Sequence, residues 1–193
     1  MTSADIALLL ALAVCCVTDI RRRRIPNWVT YPAVLCALAA STAVWLSGVF
    51  GDPEIAGAVA VRVGLPDPLF VLAGFGACFG VMLLVYASAG GGAGDVKIAA
   101  AIGSLMGAQR GLTALLVAYI VAGTVILAWY VWTAGPLRIF GMLFRAAAAA
   151  AAPRHVAPPP APDRSLLQAP ISMAPFYTAG AVAVMFHEEL AWW

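Results

Sequence analysis

Residues 3–24 read SADIALLLALAVCCVTDIRRRR, an apolar run containing only Asp5, then Asp19 and Ile20, then four arginines. A secretory signal carries its positive region ahead of the apolar core, and here the positive region follows it. The run is therefore read as a retained helix, and the positive-inside rule orients it from outside to inside. The rest of the chain continues the pattern. Of 193 residues, 63% are hydrophobic and 10% charged, against about a quarter charged in soluble chains, and the mean hydropathy is +0.94. Such a chain lacks the polar surface to face water all round. At about 20 apolar residues per span it has room for roughly six spans with short connections, which sets aside nucleic-acid binding and any large extramembrane module.

Apolar runs predict helices over about 3–20, 28–50, 68–89, 95–109, 111–133 and 169–191. The fold class is all-α: one integral membrane domain over 1–193, a polytopic bundle of about six transmembrane helices. Counting the short fourth run as a span puts the connections 21–27, 90–94 and 134–168 on one side. That side then collects nine of the eleven basic residues, with Lys97 included. It is taken as cytoplasmic, with both termini outside and the chain resident in the cytoplasmic (inner) membrane. Five spans would place the four arginines of 134–168 outside, against the rule. Within that cytoplasmic connection, 146–162 is an alanine tract followed by a proline-rich one, read as a low-complexity linker, and Leu137 to Phe144 suits a short interfacial helix.

Gly76/Gly80 and Gly103/Gly107/Gly111 recur at four-residue spacing, which lets helix backbones approach closely in lipid. Cys15, Cys16, Cys36 and Cys78 fall inside apolar runs without C-x-x-C spacing, so they read as small buried hydrophobes rather than a zinc site or a disulfide framework. No metal and no cofactor is expected.

Once topology has accounted for the other charges, two carboxylates remain where a carboxylate is costly. They are Asp19, ending the first helix in Val-Thr-Asp-Ile, and Asp95, in Gly90-Gly-Gly-Ala-Gly-Asp-Val-Lys97 at the start of the fourth. Both fall at the cytoplasmic edge of the membrane, and ionisable groups at membrane depth suggest function. Each also has a structural reading: Asp19 paired with the following arginines, Asp95 as a helix N-cap after a glycine-rich turn. Glycines at 90, 91, 92 and 94 leave the backbone beside Asp95 open to a second backbone. A protease binding an extended substrate needs that, and two carboxylates sharing one proton can activate water and protonate the scissile carbonyl.

Other chemistries fit less well. His187-Glu188-Glu189-Leu190-Ala191 lacks the second histidine of H-E-x-x-H. His155 and His187 are the only histidines, and neither falls near a nucleophile, which disfavours serine or cysteine proteolysis. Gly90 to Lys97 is not a phosphate loop, because Asp95 and Val96 separate Gly94 from Lys97.

Taken together, Asp19, then Arg-Arg-Ile-Pro-Asn at 23–27, then Gly92-Ala-Gly-Asp95-Val-Lys97 resemble the paired signature of the prepilin peptidases, the type IV leader peptidases, which are G-x-G-D membrane aspartic proteases. Met173-Ala-Pro-Phe-Tyr-Thr-Ala-Gly180 is similar to the Pro-Phe segment opening that family's last helix. The resemblance implies Asp19 and Asp95 as catalytic residues. It also implies cleavage of prepilins or pseudopilins on the cytoplasmic side, after a glycine that precedes an apolar helix. Larger members carry an insertion with two C-x-x-C pairs associated with methylating the new amino terminus. This chain has no such cysteines, so it resembles the short peptidase-only members that serve tight-adherence (Flp-type) pili, or archaeal preflagellin peptidases, and gives no basis for methyltransferase activity.

Supporting roles follow from position. Pro26 and Asn27 suit the first turn and cap of the second helix, as a holder of Asp19 or as a plain topology turn. Lys97 either snorkels to the interface or favours ionised Asp95, and Gly92 and Gly94 are backbone-access positions. A helix start favours negative charge and a helix end disfavours it; on that basis the shared proton resides mainly on Asp19 and Asp95 acts first as base. Two other classes compete. A proton- or ion-coupled transporter or channel subunit would use Asp19, Asp95 and Lys97 as a path, although such paths usually hold their charges near the midplane. A structural subunit of a pilus machine would tolerate loss of either aspartate.

Overall fold

The computed structural model describes residues 1–89, 92–135, 141, 144, 147 and 172–190. Its elements are α1 (Ser3–Arg22), α2 (Asn27–Phe50), α3 (Pro53–Val63), α4 (Pro68–Ala89), α5 (Ala93–Ala134) and α6 (Ala174–Leu190), and the described residues contain no strand. Among the described residues, four runs are long and apolar enough to cross a membrane: Ser3–Arg22, Asn27–Phe50, Pro53–Ser88 and Ala93–Thr133. Leucines 10, 35, 69, 84 and 116 and Trp28 are more than half exposed on the outside, a surface suited to lipid and not to water. The chain is an all-α integral membrane helix bundle.

Two compact units divide it, one of Met1–Val121 with Ser172–Trp193 and one of Ala122–Ile171. The second holds the end of α5 and helical, exposed Gly141, Phe144 and Ala147. Apart from these positions, the expected interfacial helix 137–144, the linker 146–162 and most of the connection 134–168 lie outside the described residues.

Several element boundaries differ from expectation. The 51–67 connection contains α3: Asp52 accepts from the Glu54 N–H at 2.9 Å, Pro53 opens the helix, and Gly64 closes it at φ 82. These are ordinary start and stop signals, outweighed in the sequence by the flanking apolar runs. The last helix starts at Ala174 rather than 169, since Ser172 and Met173 are not helical.

The fourth and fifth expected helices form one continuous element, but Gly107 interrupts it at φ 78, ψ 176. Eight helical residues advance about 12 Å, yet a Cβ built on Gly111 would lie 3.1 Å from the Gly103 Cα. The chain therefore folds back at Gly107, giving α5 a first arm (93–106) and a second arm (108–134). Gly74 of α4 packs against Gly103 and Gly107 where the arms meet, and Gly103 and Gly111 both press on Cys78. The expectation for Gly103, Gly107 and Gly111 holds. That for Gly76 and Gly80 does not, because a Cβ on either would meet nothing within 4 Å; they sit on other faces of α4 than Gly74.

The first unit has two ends. At one, Thr2 and Asp5 form a capping box that opens α1, Ser3 donates to the Arg62 carbonyl at 3.4 Å, and Asp5 pairs with Arg110 at 3.3 Å. At the other lie Asp19, the Arg23–Pro26 link, the start of α5 and the start of α6. Between them the core is built largely of small side chains, with Ala99, Ala118, Ala174 and Ala181 fully buried beside Leu8, Ile102 and Tyr177. All four cysteines are free. Cys15 and Cys78 are buried as expected, whereas Cys36 faces outward.

Candidate active site

The site forms where three chain segments meet at one end of the first unit. Asp19 lies in the last turn of α1. Its carbonyl accepts the Arg23 N–H at 2.8 Å, and Arg23 ends the helix in the left-handed region at φ 49. Four residues later Asn27 begins α2, with Pro26 as its cap at φ −76. Ile25 of this link packs against Gly94, where a Cβ would come within 2.7 Å of Ile25 Cδ1. The missing side chain at Gly94 thus lets the α1–α2 link reach the start of α5. The opening expected there for a second backbone is occupied by Ile25 of this chain.

Asp95 is not the N-cap of α5. The helix opens at Ala93, the Asp95 N–H bonds the Gly92 carbonyl at 3.0 Å, and the Gly92 backbone lies beside the Asp95 carboxylate. A Cβ on Gly92 would lie 3.0 Å from Asp95 Oδ2, so glycine at 92 leaves the carboxylate its room. Gly92 is exposed. Gly90 and Gly91 are outside the described residues.

Asp19 is 9% exposed, and its carboxylate finds its partners at the start of α6 and in the residues just before it. Its Oδ2 accepts from Ser172 Oγ at 2.6 Å and from the Ala174 N–H at 3.2 Å. Ala174 is the first residue of α6, Pro175 follows it, and the first-turn N–H groups of a helix have no partner within it. Asp19 therefore caps α6 from another helix. Pairing of Asp19 with the arginine run does not occur among the described residues; Arg21 to Arg24 are exposed.

Asp19 and Asp95 lie within electrostatic reach of each other. Tyr177, fully buried one turn into α6, lies within reach of both. Its hydroxyl donates to Tyr119 Oη at 3.4 Å, the rings meet edge to face with centroids 6.2 Å apart, and Tyr119 donates to Met82 Sδ at 3.5 Å. Gly180 lets α6 press against the backbone at Ala114 and Ala118 of α5. Tyrosine, glycine and cap together fix the start of α6 under the two carboxylates.

Two supporting residues take roles other than those expected. The Asn27 side chain caps nothing and accepts from Lys97 Nζ at 2.7 Å. Lys97 makes no ion pair with Asp95 among the described residues; Asn27 and the Tyr31 ring, 5.9 Å from Nζ, hold it. The pair ties the start of α5 to that of α2. The helix-end argument that separated the aspartates also loses its basis, since both now lie at helix N-termini, Asp95 in α5 and Asp19 against α6. Reading the sequence missed Ser172, Ile25 and Tyr177 as site residues. A Pro after a polar residue, Ser172-Met-Ala-Pro175, was the available signal for a helix start, but nothing local says which carboxylate it meets. No group of three His, Cys, Asp or Glu side chains among the described residues is placed to hold a metal.

No curated protein and no solved structure matches the chain. Residues 6–128, which carry both Asp19 and Asp95, match the type IV leader peptidase family. With well over half of the chain matched on an apolar helix bundle, this protein belongs to the type IV leader peptidase family and is a membrane-embedded peptidase.

Proposed function

We propose that Asp19 and Asp95 are the catalytic carboxylates of an aspartic endopeptidase that removes the leader of type IV prepilin-like precursors of the Flp (tight-adherence) type. On this reading it cuts at the cytoplasmic face of the inner membrane, after a glycine that precedes an apolar helix, and both termini lie outside. The carrying observation is that Asp19 and Asp95, 76 positions apart in sequence, lie within electrostatic reach of each other at one end of the bundle, with Asp19 held by Ser172 and Ala174. The arginines of the adjacent link support the cytoplasmic assignment. Carboxylates at an end of the bundle, with no path of charges through it among the described residues, favour a hydrolase over an ion path.

The chemistry needs one carboxylate ionised and one protonated. The ionised group takes a proton from water as the oxygen attacks the scissile carbonyl carbon, and the other donates its proton to the carbonyl oxygen. In the resulting gem-diol the first group passes its proton to the amide nitrogen while the second recovers one from a hydroxyl. The C–N bond breaks and the starting protonation returns. Gly92 and Gly94 shape the space at Asp95; Pro26, Asn27 and Lys97 hold the elements that carry the pair.

Purified protein in detergent should cleave a prepilin-like precursor after the glycine, and Asp19→Asn or Asp95→Asn should each lower the rate at least 1,000-fold, about 4 kcal/mol in the barrier. Both variants should keep the wild-type helical circular dichroism, since amide and carboxylate differ little in volume. Substantial cleavage by either variant overturns the assignment.

A further inference from the structure

Arg23 to Pro26 join the helix that carries Asp19 to α2, and this link also touches the helix that carries Asp95. Ile25 lies along Gly94: a Cβ built there would stand 2.7, 3.3 and 3.4 Å from the Ile25 Cδ1, Cγ1 and Cβ. Just beyond the link, Asn27 accepts from Lys97 Nζ at 2.7 Å. Asp95 is thus bracketed, with Ile25 on the residue before it and Asn27 on Lys97 after it. The same link is tied to Asp19, whose carbonyl accepts the Arg23 N–H at 2.8 Å.

The sequence makes Ile25 stiff. A residue before proline is pushed out of helical backbone into an extended one, and Pro26 follows with φ −76. A β-branched side chain is restricted at χ1 as well, and this one packs against the core. Backbone and side chain are both held, so a contact made by Ile25 fixes position where a long flexible side chain would give way. Gly94 offers the matching socket in the first turn of α5, next to Asp95. Glycine weakens a helix relative to alanine, so its presence there asks for a reason, and the seated isoleucine supplies one.

We propose that Ile25 is a positioning residue for the carboxylate pair: seated on Gly94, it holds the end of α1 against the start of α5 and so sets the separation of Asp19 and Asp95. Gly94 is then glycine to admit a side chain of this chain, not the backbone of a substrate. The proposal rests on the peptidase reading, because the separation matters only if both carboxylates act on one water and one peptide bond. A misplacement of about 1 Å at such a site can cost about 100-fold in rate.

The test uses the full-length protein in detergent with a prepilin-like precursor. Ile25→Ala removes the wedge without creating a clash, and it should lower kcat about tenfold with KM nearly constant. Ile25→Val, which keeps the branch and loses only Cδ1, should stay within about threefold of the wild type. Gly94→Ala drives a Cβ onto Ile25 Cδ1 and should lower kcat about 100-fold. Combining Gly94→Ala with Ile25→Val, whose shorter side chain makes room, should restore about tenfold of that loss. A substrate-access role for Gly94 predicts instead a raised KM in Gly94→Ala and no recovery in the double variant, and that result overturns the proposal. So does wild-type kcat in Ile25→Ala, even with a lower melting temperature, since a merely structural wedge changes stability alone. Ile25→Ala decides the matter if Gly94→Ala fails to fold. Failure of these predictions in a protein that cleaves and needs both aspartates leaves the peptidase reading standing, whereas a wild type that does not cleave overturns both.

Discussion

Asp19 gains its setting from a residue 153 positions away. The Ser172 hydroxyl at 2.6 Å and the Ala174 N–H at 3.2 Å fix one carboxylate oxygen. A hydrogen bond to a charged group contributes about 1.5–3 kcal/mol, so Ser172→Ala should slow kcat by roughly 10- to 100-fold with KM nearly constant. Ser172→Thr, which restores a hydroxyl, should recover much of the loss. Equal loss in both variants would show that bulk at 172 matters and the hydroxyl does not. At this scale the sequence was partly legible. A carboxylate at a helix end in an apolar chain is conspicuous because burying it is costly, whereas serines and alanines are common and carry no mark of what they bond. Lys97 illustrates the same limit. Its charge near Asp95 suggested an ionic role, but its side chain reaches Asn27 on a neighbouring helix instead.

At the scale of elements, the decisive feature is the reversal at Gly107. Its φ of 78 with ψ of 176 belongs to a region open essentially to glycine alone, and a Cβ there would also strike the Phe70 ring. Gly107→Ala should cost about 1–3 kcal/mol for the backbone conformation, plus the displacement of Phe70. It should appear as a lower melting temperature in detergent and as loss of cleavage, since the first arm carries Asp95. A variant with unaltered stability would mean the chain turns elsewhere. The two helices on either side of this turn were legible from their apolar runs and from the need to bring the arginines to one face. Which glycines serve close packing was not: four-residue spacing marked Gly76 and Gly80, yet Gly74 meets Gly103, because contact depends on how α4 is rotated against α5. The short α3 carried clear capping residues, but 11 residues between two long apolar runs read as a connection.

Across the whole of the first unit, α1 and the first arm of α5 run antiparallel. Asp5 and Asp19 are 14 residues apart on α1, about 21 Å at 1.5 Å per helical residue, and the first arm of α5 runs about 16 Å from Asp95 to Met106 before the chain reverses at Gly107. The Asp5–Arg110 pair, with Asp5 4% exposed and Arg110 just past that reversal, ties the start of α1 to the turn of α5 at the end of the unit remote from Asp19 and Asp95. Asp5→Asn should lower stability by about 2 kcal/mol, measured by thermal unfolding in detergent, with kcat of the folded protein nearly unchanged because the residue is remote from the carboxylates. The orientation proposed above makes a separate prediction. In a cysteine-free background, Asp67→Cys should react with a membrane-impermeant maleimide from outside, and Arg24→Cys only after the membrane is opened. The reverse pattern would invert the topology.

What the sequence by itself determined was the class: long apolar runs have no stable place except in lipid, and two stray aspartates stand out because lipid makes them expensive. It also carried the family, since Asp19 and Gly92-Ala-Gly-Asp95 stand in a recognisable order within the matched 6–128. Tertiary structure alone decided which groups complete the site. Ser172 and Ala174 reach Asp19, and Ile25 fills the space left by Gly94. The reason is physical. Membrane partition and charge act residue by residue along the chain and can be read locally, whereas hydrogen-bond partners and close packing depend on helix rotation and register, which are set by contacts between segments far apart in sequence.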